Sequence, residues 1–476
     1  LAGIVVGSVR CVSETGGAHG SSRRPVPKSR HLKQGRCVMA RTPSAASERR
    51  AYVNARLFDP AGKLDQTGGV LIEDGVIKWM GAAVTRASLP EGTNTTDVKG
   101  ALLVPGLVDM RVFTGEPGSE HRETLQSASR AAAAGGVTSI VIQPNTQPVM
   151  DDASIIDFIL RRAQDTADVR VYPMAAITKD LNGERMTEFG LLKEAGAVAV
   201  TDAIHSVRNS KVLSRAMKYA GNFNLLLVQH VEDSDLAGGV MHSGESATRL
   251  GLPGIPAAAE LIALERDIRL VEMTGAPYHA AQISCAASLD VIRHAKDRGL
   301  PVSCGVSINH LTLNEHDIGA YRTFFKLSPP LRREDDRKAL VAGVADGTID
   351  VIVSSHDPQD ADTKRVPFSE AAFGAIGLET LLSAGLSLVH SDQLPLERLI
   401  EATTDAPARL LNIQGGRLQQ GGNADFAIVD MAAPWVVDAD LLKSASRNTT
   451  FEARAFEGRV TETIVGGHSV YKLSDH

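Results

Sequence analysis

From residue 105 to residue 410 the chain alternates short apolar runs with stretches of helical spacing, and this alternation leaves few architectures open. Val137–Gln143, Val169–Ala175, Ala197–Asp202, Leu225–His230, Tyr278–Ile283, Val302–Val306 and Val351–Ser355 read as buried strands. They are apolar almost throughout rather than at every second residue, as strands covered on both faces are. Thr124–Ala134, Ser154–Thr166 and Ser288–Arg298 carry helical spacing between them. Repeated βα units predict a parallel sheet with helices outside it, either a (β/α)₈ barrel or a doubly wound sheet. A preceding run, Ala101–Asp109, leads into this region.

The flanking segments follow another pattern. Ala51–Leu57, Gly69–Ile72 and Gly75–Trp79 are strand-sized, and Glu73-Asp74-Gly75 marks a hairpin turn. Beyond Leu411, Asp425–Asp430, Val460–Val465 and Ser469–Tyr471 are again short strands, the last two separated by Gly466-Gly467. Neither end can bury a core singly, so pairing them is the economical solution. The expected architecture is α/β: a TIM-type barrel over 105–410, with a small composite β-sandwich from 51–104 and 411–476.

Residues 1–50 stand apart, being rich in Arg, Ser, Gly and Pro with only Glu14 and Glu48 as acids. Such a composition fits an organelle transit segment or an extension ahead of a start at Met39. The second reading is preferred, and the stretch is expected to be disordered.

With 476 residues, 43 % of them hydrophobic, the chain can bury a large core. A net charge of −6 and 4 % aromatic residues give no electrostatic or stacking basis for nucleic-acid binding. No run of apolar residues is long enough to span a membrane. Cys11, Cys37, Cys285 and Cys304 form no CxxC pair, which suits a reducing, cytoplasmic setting without structural zinc. Cys285 and Cys304 read as small buried hydrophobes, and His205 and His279 as isolated surface or supporting residues.

In barrels of this kind chemistry sits at the C-terminal strand ends. The residues to weigh are therefore Arg111 and Phe113, Gln143 and Asn145, Asp202, His230 with Glu232, Gln282, and Ser354 to Asp357. As a metal site the set is poor, because zinc wants at least three converging N, O or S donors and only Asp202 and His230 offer themselves. His356 or Asp357 could serve only after a strand slip, which the run Ile349–Val353 opposes.

At these positions the chain resembles class I dihydroorotases of the amidohydrolase superfamily. The resemblance is carried by Val104-Pro105-Gly106-Leu107-Val108-Asp109, Glu116-Pro117-Gly118, Gly135-Gly136-Val137-Thr138 and Pro144-Asn145-Thr146. It continues through Gln229-His230-Val231-Glu232-Asp233, Ser328-Pro329-Pro330-Leu331-Arg332, Phe373-Gly374-Ala375-Ile376-Gly377 and Ser446-Arg447-Asn448-Thr449. It implies the same barrel and sandwich, a place in pyrimidine biosynthesis, and metal-activated hydroxide interconverting dihydroorotate and carbamoyl-aspartate.

Carried over residue by residue, most of the implied machinery is missing. Arg111 and Phe113 stand at the His-x-His pair, Gln282 at the strand-6 histidine and Ser355 at the strand-8 aspartate, the general base. Asp202 and His230 keep their ligand positions, so two of six remain. Of the substrate contacts Asn145, Phe373 and Gly374 persist, while Gly115, Ser328 and Gln359 stand at lost positions.

The departures are similar to those of inactive dihydroorotase-like chains that assemble with aspartate transcarbamoylase. The resemblance therefore implies a non-catalytic structural partner of that enzyme, without cofactor and dimeric. In this reading Asp202 persists by pairing with Arg111. One alternative is an active cyclic amidohydrolase with an altered zinc site. Another is a metabolite-binding regulator holding a carboxylated ligand through Arg111 and Asn145.

Overall fold

The computed structural model describes residues 49–474. The expectations for the first fifty residues, and for Cys11 and Cys37, lie outside them except at Arg49 and Arg50. Eight parallel strands form one sheet: β1 (Leu107–Val112), β2 (Val137–Ile142), β3 (Arg170–Ala175), β4 (Ala199–Thr201), β5 (Leu226–Gln229), β6 (Tyr278–Ala280), β7 (Val302–Ser307) and β8 (Val351–Val353), in that order. All eight are buried throughout, which is why they read as continuous apolar runs. The ring closes between β8 and β1, where Phe113 N donates to His356 O at 2.9 Å and Ser354 N to Asp109 Oδ2 at 3.1 Å.

Helices cover the outside of the strands. The first, Leu125–Ala134, shows why its sequence is helical. Thr124 Oγ1 accepts from Ser127 N and Ser127 Oγ accepts from Thr124 N, a reciprocal cap that satisfies two donors a helix start leaves open. The alanine-rich body that follows costs little side-chain entropy and packs Leu125, Ala128, Ala131 and Ala132 inward.

A second eight-stranded sheet comes from the two ends of the chain. Its order is His468–Lys472, Ala455–Val465, Phe426–Val436, Leu102–Pro105, Arg50–Asp59, Leu64–Glu73 and Val76–Gly81, with Asn94–Asp97 also paired to Arg50–Asp59. The run Ala101–Asp109 is divided between the two sheets. Leu102–Pro105 belongs to the terminal sheet and β1 to the barrel, with the break at Gly106. There a Cβ would lie 2.1 Å from Thr138 Oγ1, so only glycine lets the chain turn against β2. Asp74 and Gly75 take positive φ in the hairpin, as an Asp-Gly turn requires.

Candidate functional site

A cavity of about 360 Å³ opens at the C-terminal ends of the strands. Arg111, Phe113, Asn145, Gln282, Ser328, Ser355, Gln359, Phe373 and Gly374 all line it. Asp202, His230 and Gly115 do not. His230 lines a neighbouring cavity of about 500 Å³, which shares Ile204, Glu232 and Ala237 with the first. Asp202 is buried and lines neither.

Arg111 leaves β1 with 8 % of its surface exposed, and among the described residues its guanidinium has no hydrogen-bond or ion-pair partner. Burial pulls its pKa down, while the carboxylates of Asp357 and Asp109 oppose that shift from beyond bonding distance. The expected Arg111–Asp202 pair does not form. Both Asp202 oxygens are taken by Thr178, whose N donates at 2.9 Å and Oγ1 at 2.6 Å. Desolvation raises the Asp202 pKa to about 6, and these bonds only partly offset it.

Gln282 and Ser355 face one another across the strand ends, Gln282 Nε2 donating to Ser355 Oγ at 2.6 Å. Ser328 Oγ lies 3.4 Å from His230 Nε2, and Glu232 Oε1 lies 3.6 Å from the same nitrogen. Asp357 accepts from Arg122 Nη2 at 2.8 Å and from Gln359 Nε2 at 3.1 Å. Arg122 also caps the ring of Phe113 at 4.3 Å from its centroid. His356 also borders the cavity, with its ring held between Glu123 Oε2 at 3.3 Å and Gly377 N.

Gly115 occupies a turn at φ +68°, and a Cβ there would meet the carbonyl oxygens of Ser119 and Glu123 at 2.4 Å. A residue with a side chain has no room at that position. His279 is not at the surface but buried against Ser303 Oγ at 2.8 Å, whereas His205 is exposed beside the second cavity. Cys285 and Cys304 are buried free thiols, the former pushed up to about 12 by burial.

The strand-end reading missed Arg122, Asn309 and His310, which also line the main cavity. Arg122 comes from the connection after β1, whereas Asn309 and His310 lie in the short helix Ile308–Thr312 directly after β7, a strand end left out of the residues weighed. The one signal that could have found Arg122 is its place in the β1 connection, on the face where such barrels gather their sites.

Residues 100–288 match the family model described as dihydro-orotase-like, and residues 275–471 match the amidohydrolase family. A dihydroorotase from Anaeromyxobacter dehalogenans is 44 % identical over 420 residues, covering 88 % of this chain and 96 % of its own. One from Pelobacter propionicus is 42 % identical, over 88 % and 98 %. The chain belongs to the dihydroorotase family. Its fold is similar to that of an L-hydantoinase from Arthrobacter aurescens, with a TM-score of 0.80 at 24 % identity over 90 % of this chain and 96 % of that one.

Members of the dihydroorotase family use metal, and the side chains at this chain's six positions do not fit one. Arg111 brings a fixed positive charge and no lone pair, and Phe113 offers no donor. Gln282 and Ser355 bond each other, and Asp202 is committed to Thr178. Among the described residues no three His, Cys, Asp or Glu side chains converge as a metal site. No helix among them is long and apolar enough to cross a membrane.

Proposed function

We propose that this dihydroorotase-family chain does not interconvert dihydroorotate and carbamoyl-aspartate, and that it acts in the cytoplasm as a structural partner of aspartate transcarbamoylase. The observation that carries the first part is Arg111, a buried, unpaired guanidinium at a position where the family reaction needs a metal donor. Loss of the general base alone costs ~10²–10⁴ in rate, and without activated hydroxide the nucleophile itself is gone. The partner and a dimeric state rest on the resemblance of these departures to inactive family chains, since a fold does not name its partner.

The test is elemental analysis of the purified protein, then dihydroorotate hydrolysis with and without added zinc. It is followed by gel filtration with light scattering, alone and with aspartate transcarbamoylase. The expected result is neither zinc nor turnover, a dimer alone, and a co-eluting complex. Failure to co-elute would remove the partner.

A second reading is favoured by the relatives, which bear the name dihydroorotase at 42–44 % identity over 88 % of this chain. It is an active enzyme with an altered zinc site built on His230 and Asp202. Near-stoichiometric zinc with turnover would select it and overturn the non-catalytic reading.

A further inference from the structure

We propose that a second site, a cavity between the terminal sheet and two barrel helices, binds a phosphate monoester with a compact apolar or aromatic body, anchored by Arg459. The cavity holds about 390 Å³ and shares no lining residue with the one at the strand ends. Its walls come from the strands Phe426–Val436, Ala455–Val465 and His468–Lys472, with Ala134 from the helix Leu125–Ala134 and Ser383 from the helix Leu381–His390. The inference is independent of whether the strand ends hold a metal.

Arg459 is half-buried, and its guanidinium lies over the ring of Trp435 at 4.9 Å from the centroid. That ring is itself fixed. Trp435 Nε1 donates to Gly458 O at 3.2 Å, and Phe456 packs beside it with 5.9 Å between centroids. Stacking occupies the face of a guanidinium and leaves the N–H donors in its plane free. Arg459 spends none of them, since it makes no hydrogen bond or ion pair among the described residues. A planar fork held flat on an aromatic ring suits two parallel charge-assisted bonds to a phosphate.

The surrounding charge favours a dianion. Lys443 and Lys472 also line the cavity, and their exposed ammonium groups likewise form no hydrogen bond or ion pair among the described residues. Against these three cations stand Asp438 and Glu379. Glu379 Oε1 accepts from Lys443 N at 2.7 Å and Ser444 N at 3.2 Å, while its other oxygen keeps accessible surface and has no partner. Burial pushes this carboxyl up to about 7, the N–H groups of Ser444 and Lys443 oppose the shift, and Glu123 adds to it. Near neutrality Glu379 can therefore donate a proton to a phosphate oxygen instead of repelling it. The unpaired hydroxyl of Tyr471 lies within the fields of both Arg459 and Glu379, so the polar groups converge on one space.

The apolar wall favours an ester over the free ion. Val436 and Leu441 border the cavity and are 59 % and 72 % exposed. An apolar ligand body takes them out of water, which inorganic phosphate cannot do. The volume lies within the range of small-molecule pockets, ~300–1,000 Å³.

Titration calorimetry on the full chain with phenyl phosphate, inorganic phosphate and benzoate tests the assignment. Inorganic phosphate lacks the ring, and benzoate lacks the second charge. Phenyl phosphate is expected to bind about tenfold or more tightly than either. Arg459→Met should weaken it by about 10- to 100-fold, the range expected for charge-assisted bonds. Arg459→Lys keeps the charge but not the fork and should lose about tenfold. Leu441→Ser should weaken phenyl phosphate while leaving inorganic phosphate unchanged. Arg111→Met, which removes the unpaired cation of the other cavity, should change nothing. Thermal unfolding of each variant checks that it is folded, and Arg459→Met, which breaks no ion pair, should unfold at the parent's temperature.

Equal affinity for phenyl phosphate and inorganic phosphate would make this a site for the free ion and overturn the assignment. Indifference to Arg459→Met, loss of binding on Arg111→Met, or no saturable binding would each overturn it as well. The titration involves neither metal nor turnover, so such a failure leaves the proposed function standing.

Discussion

At position 111 the substitution of guanidinium for imidazole changes two things together: a lone pair is lost and a permanent charge is gained. A dication about 4 Å from that charge would be opposed by several kcal/mol even at a screened interior dielectric. Restoring donors elsewhere should therefore fail while Arg111 remains. Gln282→His with Ser355→Asp is expected to bind no zinc. Adding Arg111→His and Phe113→His should bring zinc to about one per chain by elemental analysis. Asp is tolerated at 355 because Ser355 already sits at φ 54°, a conformation Asp adopts more readily than most residues. Zinc in the two-residue variant would show that charge at 111 does not decide occupancy. Gly115 is the opposite case, lost to chemistry but fixed by geometry. With two carbonyl oxygens 2.4 Å from where a Cβ would stand and φ at +68°, Gly115→Ala should destabilise the fold by about 1–3 kcal/mol in a urea titration. No loss would mean that the turn yields freely.

Within single elements, the pH response follows from two buried histidines. His279 lies in β6 against Ser303, and burial, with Lys296 adding to it, pulls its pKa from 6.5 to about 3. The unfolded chain takes up that proton near 6.5 and the folded chain only near 3, so stability is full above 6.5 and lost as pH falls below it. From pH 7 to pH 5 this one group should remove roughly 2 kcal/mol. His310, lowered to about 4 by burial, acts in the same direction. His279→Gln should flatten the difference between urea unfolding free energies at pH 7 and pH 5 by that amount, and an undiminished difference would rule His279 out. These elements also show what sequence can carry. All eight barrel strands were legible because burial on both faces leaves an apolar run, and Phe113, Gln282 and Ser355 were found by sitting at strand ends. Arg122 was not legible. Its role is set by Asp357, 235 residues away, and nothing local marks a loop arginine that will meet it. The Arg111–Asp202 pairing failed for a similar reason: complementary charges suggested it, but Thr178 claims both oxygens of Asp202.

Across the whole molecule, the barrel and the terminal sheet are fastened together at the end of the strands opposite the cavity. Arg170, the first residue of β3, donates from Nε to Asp425 Oδ2 at 2.6 Å and from Nη2 to Oδ1 at 3.0 Å. Asp425 leads into the sheet strand Phe426–Val436, and its Oδ1 also accepts from Gly466 N at 2.7 Å, at the turn before the last strand. Its backbone oxygen accepts from Gly106 N, at the break between the two sheets. Both charged side chains are only 3 % exposed. Removing one leaves the other charged in a space without water, so Arg170→Met should cost about 3–5 kcal/mol. Pairing it with Asp425→Leu removes the stranded charge as well and should recover most of that loss, less the contribution of the Gly466 bond. Because chemistry and stability occupy opposite ends of such a barrel, the single variant should lower the urea midpoint while a crystal structure keeps the 2.6 Å bond from Gln282 to Ser355 at the cavity. Loss of that bond in the variant would mean that the strand ends are held in place from the far side of the barrel. The two ends would then be one mechanical unit, and the sheet formed by the chain termini would take part in shaping the cavity.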